Sequence, residues 1–340
     1  MSAARSRSLR RALRWLEREG ATLSPISFRA DRRGGFEVHA RADAAAGQLL
    51  FDVPLRCIIT TEIARASAIG RAITASGAKL LSPQMLLAAF LLDERRAASS
   101  FWRPYLDVLP DAFPHSPLFY AEDDLALLEG SMALEMIRER RRALLDEYED
   151  LTAHLNGFSA FDVREYLWAR MVVLTRVFAL TIFREATLAM VPLADMLNHS
   201  ADPEAHWTFD DERGAYVMTA ETAIAAGTAI HDSYGDRSNG RLLLTYGFCL
   251  ADNPHEEVAI RAEDFAAPGE EPTPQAIASA CERALRRFPG TIEEDDALLA
   301  DKRLGVNARN AILMRRGEKR LLLASLARAR EQWNAAVLGD

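Results

Sequence analysis

From Leu188 to Leu193 the chain is apolar enough to be buried, and directly afterwards it presents Asp195, Asn198 and His199. A short buried strand that carries a carboxylate, an amide and an imidazole to its end predicts the wall of a site. Downstream, Ala225-Ala226-Gly227-Thr228 is a turn signal, and Ala229 to Ser233 reads as a second short strand. That strand ends at Tyr234-Gly235, where glycine lets the backbone turn sharply and leaves a phenol at the strand end. From Asn239 onward, Leu242, Leu243, Leu244 and Tyr246 recur at helical spacing before Gly247, which predicts a helix that stops there.

The same grammar occurs much earlier. Gly34-Gly35 leads into Phe36, Val38 and Ala40 on one side of an alternating strand, and Ala45-Ala46-Gly47-Gln48 precedes a strand from Leu49 to Val53 stopped by Pro54. Two strand-turn groups separated by a long interruption point to one small β domain split in sequence. The interruption, from Pro83 to Phe183, reads as helical. Met85 to Leu92 is an apolar helix, Phe101, Trp102, Pro104 and Tyr105 make an aromatic-proline loop, and Leu125 to Tyr148 and Val163 to Phe178 are long amphipathic segments. The Arg138 to Arg142 run, flanked by Glu135, Glu139 and Glu147 at ion-pairing spacing, is expected to face solvent. After Asn253-Pro254, Pro268, Gly269, Pro272 and Pro274 look like a linker. Helices are then expected over Gln275 to Phe288, Asp295 to Leu304 and Asn310 to Asn334, with Leu313, Leu321, Leu322 and Leu326 on an apolar face. The resulting plan is an N-terminal helix (1–24), a β domain in two parts (25–82 and 188–252), a helical insertion (83–187) and a C-terminal helical domain (253–340).

Composition bounds the function. A chain of 340 residues is long enough for several domains, and a net charge of -8 argues against general nucleic-acid binding. No apolar run is long enough to span a bilayer. Cys57, Cys249 and Cys281 are far apart, with no C-x-x-C pair, so neither a disulfide framework nor a zinc cluster is expected and a reducing cytoplasm is the default. His199, His206 and His231 lack ligand spacing, and no metal is expected. The Arg- and Ser-rich start has the look of an organelle-targeting peptide. Leu9, Leu13, Leu16 and Trp15 nevertheless form a helical stripe, Glu17 and Glu19 are unusual in such peptides, and Gly20 is a helix stop.

Asp195, Asn198 and His199 form D-x-x-N-H; Tyr234-Gly235 with Ser238-Asn239 forms Y-G-x-x-S-N; Tyr246-Gly247-Phe248 follows. In this order and spacing they resemble the SET-domain methyltransferases, and within them the subgroup like the Rubisco large-subunit lysine methyltransferase, to which the actin-histidine methyltransferase also belongs. Trp15, Leu16, Gly20 and Ala21, the segment Phe101-Trp102 with Pro104-Tyr105-Leu106 and Leu109-Pro110, and the stretches at Arg309-Asn310 and Arg316 to Arg320 are similar to further parts of that subgroup.

The resemblance implies an α+β fold: a SET domain of short strands with a threaded C-terminal segment, split by a helical insertion and followed by a helical domain that holds protein substrates. It implies S-adenosylmethionine as cofactor and a protein substrate presenting a lysine, with neither nucleic acid nor membrane as partner, and a monomer. Tyr234 would be catalytic. Glu62, Arg176, Asp195, Asn198, His199, Tyr246 and Phe248 would bind the cofactor, and Phe178, Ala194 and Tyr246 would line the substrate channel. Blander readings stand beside these: Glu62 as a first-turn acid behind Thr60-Thr61, Arg176 snorkelling or pairing with Glu185, and the aromatics as core. Histidine-directed relatives carry an Asn near Phe178 and a Trp at Ala194; an apolar Phe178 cannot hydrogen-bond an imidazole, so lysine is expected over histidine. Glu37 and His39 depart from the family, which has a smaller residue and often an Arg there. That departure motivates the alternative of a catalytically silent binding module, carried alongside the histidine-methyltransferase reading.

Overall fold

A computed structural model of the chain describes residues 3–31, 35–260 and 273–338; Gly34 and the linker residues Pro268, Gly269 and Pro272 lie outside them. The polypeptide divides into two compact units, Met1–Ala112 with Leu144–Gly235, and Phe113–Ala143 with Asp236–Asp340.

The strands all fall in the first unit and are short: β1 (Thr22–Leu23), β2 (Ile26–Ala30), β3 (Phe36–Ala40), β4 (Leu49–Pro54), β5 (Ile59–Thr60), β6 (Val177–Ile182), β7 (Glu185–Met190), β8 (Asn198–His199), β9 (Ala205–Asp210), β10 (Ala215–Ala220) and β11 (Ala229–Asp232). They make three sheets, ordered β1-β4-β10-β9, β2-β3-β11-β8 and β5-β7-β6. Strands from before and after the helical interruption are neighbours in every sheet, as the two groups of turn signals imply. Val38 lies opposite Ile230, and Phe51 opposite Met218. The two alanine-glycine turns are fastened to the same stretches they resemble: Gly47 N–H bonds the Ala220 carbonyl and Gly227 N–H the Ala40 carbonyl. Apolar residues that alternate in sequence are buried, with Phe36, Val38 and Ala40 on β3 and Leu50, Phe51 and Val53 on β4 at the centre.

Most neighbouring strands run antiparallel. β8 and β11 are the exception: they pair in parallel, with His231 opposite Asn198 and Asp232 opposite His199. Parallel neighbours need a crossover. Here the chain leaves β8, forms the β9–β10 hairpin in another sheet, and returns as β11.

Helices α1 (Ala3–Arg18), α2 (Thr61–Ala66), α3 (Ala68–Ala75), α4 (Pro83–Arg96) and α5 (Arg103–Leu106) belong to the first unit. On α1 the buried stripe is Leu9, Ala12, Trp15 and Leu16; the expected Leu13 is only half-buried. α4 begins with a Ser82 cap and Pro83 in its first turn, and Met85 to Leu92 are all buried, which accounts for its continuous apolar run. Beyond α6 (Glu122–Ala126) and α7 (Met132–His154), α8 (Val163–Arg176) starts from a capping box of Asp162 and Glu165 and packs on α4.

Several expected segments differ: the one expected over Leu125 to Tyr148 divides between α6 and α7, the helix expected over Asp295 to Leu304 runs instead over Ile292–Ala300, and two others end elsewhere. The helix from Val163 stops at Arg176, and Phe178 is already in β6, opposite Ala189, because β7 supplies a partner edge that helical spacing cannot reveal. The strand expected over 188–193 ends at Met190. Leu193 then adopts a left-handed φ of 67° and is fully buried, starting a tight turn over Ala194–Met196.

The second unit is helical, with α9 (Asn239–Tyr246), α10 (Pro274–Leu285), α11 (Ile292–Ala300) and α12 (Val306–Leu338). Gly247 ends α9 at φ 78°, where a Cβ would collide with the His115 carbonyl. One apolar cluster joins Leu125, Leu128 and Ile137 to Leu243, Ala311 and Met314; another joins Cys281 and Phe288 to Leu322 and Leu326. Arg141 corrects the expectation of a solvent-facing arginine run. It is half-buried and donates to the carbonyls of Pro117, Leu118 and Tyr120 around a short 3-10 turn. No described helix is long and apolar enough to cross a membrane.

Inside this unit the Asp295 side chain is fully buried between Arg315 and Lys319, both at 2.6 Å. Removing the carboxylate strands two buried cations. Asp295→Ala is expected to lower stability by about 3–5 kcal/mol in urea unfolding. Arg303→Ala, which breaks the exposed pair with Asp301, is expected to leave the urea midpoint unchanged.

Candidate active site

α8 ends on Arg176, and the tight turn after β7 carries Asp195. The two meet at 3.0 Å, and the same Arg176 nitrogen also donates to the Asp195 main-chain carbonyl at 3.1 Å. Tyr105 donates its hydroxyl to the same Asp195 oxygen at 2.7 Å. Asp195 is wholly buried as a side chain and Arg176 is nearly so. Burial is the largest single influence and works against the arginine's charge, but the Asp195 carboxylate together with the Tyr105 and Tyr234 phenols holds the guanidinium above its ordinary pKa. Burial, reinforced by Asp195, pushes the Tyr105 hydroxyl well above the usual tyrosine range, so it stays a donor. The pairing of Arg176 with Glu185 weighed from sequence does not occur: Asp195 takes that place. Tyr105 was visible only as part of an aromatic-proline loop, since its partner is ninety positions away.

The parallel pairing of β8 and β11 brings the second motif to the first. The Tyr234 backbone N–H donates to His199 Nδ1 at 3.1 Å, which makes that nitrogen the acceptor. The two rings stack with centroids 5.2 Å apart. The Tyr234 hydroxyl donates to the Leu197 carbonyl at 2.8 Å. Asn198 sits half-buried in the same edge pair.

Phe178 packs edge-on against Trp207 and Tyr216, at 5.2 and 5.3 Å between centroids. Trp207 donates its indole N–H to the buried Asp232 at 3.0 Å. None of these three partners stood out in the sequence. Trp207 and Tyr216 lie on facing strands of the β9–β10 hairpin, and Asp232 only acquires meaning from its burial. Ala194, 1% exposed, precedes Asp195 on the tight turn.

Glu62 is exposed, in the first turn of α2, and accepts a hydrogen bond from Thr187 at 2.7 Å; among the described residues no hydrogen bond joins it to Arg176 or Asp195. The departing pair interacts internally. His39, 9% exposed, contacts the Glu37 carboxylate and the Gly227 carbonyl, each at 3.1 Å, so it ties β3 to the turn before β11. Tyr246 and Phe248 belong to the second unit, their rings tilted and 6.3 Å apart. There Asn239 is buried and clamps the Leu250 backbone through both ends of its amide.

Two family models match the chain: the SET domain over residues 35–235 and the Rubisco LSMT substrate-binding domain over 244–322. The chain is 30% identical over 235 residues to the ribosomal lysine N-methyltransferase set10 of Schizosaccharomyces pombe, covering 67% of this chain and 42% of that protein. It is 29% identical to mouse SET domain-containing protein 4, covering 75% and 61%, and 27% identical to human actin-histidine N-methyltransferase, covering 73% and 43%. The chain thus spans about half the length of these relatives. Among solved structures, the SET domain of LSMT bound to lysine and AdoHcy superposes with a TM-score of 0.82 at 21% identity, over 97% of this chain and 92% of that one. Rubisco LSMT bound to AdoMet gives 0.79, also at 21% identity, over 96% and 92%. With the SET model accounting for more than half of its length, the chain belongs to the SET-domain family.

Proposed function

We propose that the chain is an S-adenosylmethionine-dependent protein-lysine N-methyltransferase acting on a non-histone protein in a reducing cytoplasm, as a monomer. The observation that carries this reading is the fixing of Tyr234. Its N–H is held by His199 and its hydroxyl proton is committed to the Leu197 carbonyl. That donation fixes the direction of the phenolic oxygen, and a phenol oxygen held in place suits weak C–H···O contacts to a methyl carbon. Tyr234 orients and does not itself transfer a proton.

The residues present fit the cofactor. Arg176 Nε and Asp195 Oδ1 are buried and without a hydrogen-bond partner among the described residues, one a donor and one an acceptor, beside half-buried Asn198 and His199. Arg176, Asn198 and His199 would hold it, with Asp195 and Tyr105 keeping the arginine charged and oriented. Tyr246, Phe248 and Glu62 join this assignment through the family resemblance. When bound, S-adenosylmethionine supplies a methyl group on a positive sulfonium, whose carbon–sulfur bond breaks as the carbon–nitrogen bond forms.

The acceptor must offer a lone pair, yet a free lysine has a pKa of about 10.4. Burial of the stem beside apolar Phe178 and Ala194 disfavours the ammonium and lowers that value. Phe178 has no polar atom to hold an imidazole, which supports lysine over histidine. The rest is positioning, which the ordered Tyr234 supplies. The helical second unit, with its match to a substrate-binding model, supports a protein rather than a small-molecule substrate.

Transfer of a labelled methyl group to lysate proteins tests this directly. Tyr234→Phe is expected to cut the rate about 10²–10³-fold while S-adenosylhomocysteine binding persists. A wild-type protein that binds neither the cofactor nor its product would sink the reading. Arg176→Met is expected to weaken S-adenosylhomocysteine by about 1.5–3 kcal/mol, roughly 10- to 150-fold, in isothermal titration.

A further inference from the structure

Asp232 is the last residue of β11, two before Tyr234, and is 6% exposed. Its described neighbours come from several strands. On β9, Trp207 donates its indole N–H at 3.0 Å, and His206 contributes a weak positive influence. From β10 comes the Tyr216 phenol, fully buried and stacked on Trp207 at 6.0 Å. The Ser233 N–H reaches it from its own strand, and His199 is its register partner on β8. Phe178 closes the aromatic group against both Trp207 and Tyr216.

Buried carboxylates are normally paired with a cation. Asp195 has Arg176, and Asp295 has Arg315 and Lys319. Asp232 forms no ion pair with any described cation and is held only by neutral N–H groups. Burial pushes its carboxyl up to about 6, which still leaves it ionised at neutral pH. The Tyr216 hydroxyl, buried and without a hydrogen-bond partner among the described residues, lies within reach of the charges of both Asp232 and Asp195. Arg176 in turn feels the Tyr234 phenol. Asp232 lies opposite His199, whose ring stacks on that of Tyr234 and accepts its N–H, so the unpaired carboxylate stands in the neighbourhood of the residue that orients the methyl acceptor.

We infer that Asp232 is a specificity-determining residue that supplies the counter-charge for the cationic end of the acceptor side chain, with Phe178, Trp207 and Tyr216 as its aromatic walls. A carboxylate among ring faces selects an alkylammonium, methylated or not, because both ion pairing and cation–π attraction reward the charge and tolerate added methyl groups. An imidazole or a neutral amide gains neither in full. The carboxylate favours capture in the ammonium form and so opposes the effect of burial beside Phe178 and Ala194; the positive sulfonium of bound S-adenosylmethionine would tip the balance back, and the proton is lost to water before transfer. This inference rests on the methyltransferase reading and narrows it to an acceptor that arrives as a cation.

The test uses the full chain saturated with S-adenosylhomocysteine and labelled at its five tryptophan indoles with ¹⁵N, the Trp207 resonance being identified with Trp207→Phe. Free lysine and Nε-trimethyllysine are expected to shift that resonance. Norleucine, which keeps the apolar stem without the amine, and histidine are expected to bind at least tenfold more weakly. Asp232→Asn is expected to weaken lysine at least tenfold while leaving norleucine and S-adenosylhomocysteine unchanged. The lysine–norleucine contrast in the native protein needs no variant to fold. Equal binding of lysine and norleucine, a preference for histidine, or lysine affinity unchanged in Asp232→Asn would each overturn the inference. Failure of the native protein to take up S-adenosylhomocysteine would overturn the methyltransferase reading beneath it.

Discussion

The parallel pairing of two very short strands, Asn198–His199 and Ala229–Asp232, is the constraint on which the site depends. Neither segment has enough apolar surface to fold alone. Each is held by what lies beyond it: β8 by the buried turn that follows β7, and β11 by the edge of β3. With the pairing in place, the imidazole that ends one motif accepts from the backbone of the tyrosine that begins the other. A one-residue slip would put His231 and Ser233 where Asp232 and Tyr234 now stand, since alternation turns every side chain to the other face.

The same logic explains where polar groups are buried. Arg176 ends a helix, where its charge complements the helix dipole, and Asp195 follows a left-handed leucine that no sequence rule would place there. The pair with Tyr105 is costly to desolvate and is retained at the junction of three segments far apart in sequence. Its unsatisfied atoms, Arg176 Nε and Asp195 Oδ1, are the departure from complete pairing expected of a site that receives a ligand. The Asp295 cluster in the second unit is also buried and ionic, but it is closed around its own cations. Burial of charge alone therefore does not mark function.

The departure at Glu37 and His39 also becomes intelligible. Instead of disrupting the first β segment, the two side chains bond to each other and to the Gly227 turn, so β3 stays fastened to the strand that leads to Tyr234. The pair that departs from the family's pattern ties these two segments of the β domain together.

The sequence by itself determined the elements whose signals are local. The glycine turns, the capped α4 and α8, the stop of α9 at Gly247 and the presence of polar side chains near strand ends at Asp195, Asn198, His199 and Tyr234 all follow from signals within a few positions. What it could not decide were matters of partnership. Phe178 is a strand residue because β7 offers an edge, Arg141 turns inward onto carbonyls near Pro117, and Tyr105 and Asp232 acquire roles only through neighbours distant in sequence. Local propensity is set by each residue's own torsions and side chain. Burial, pairing and charge balance belong to groups that meet only when the chain has closed on itself, and there the tertiary structure alone decides.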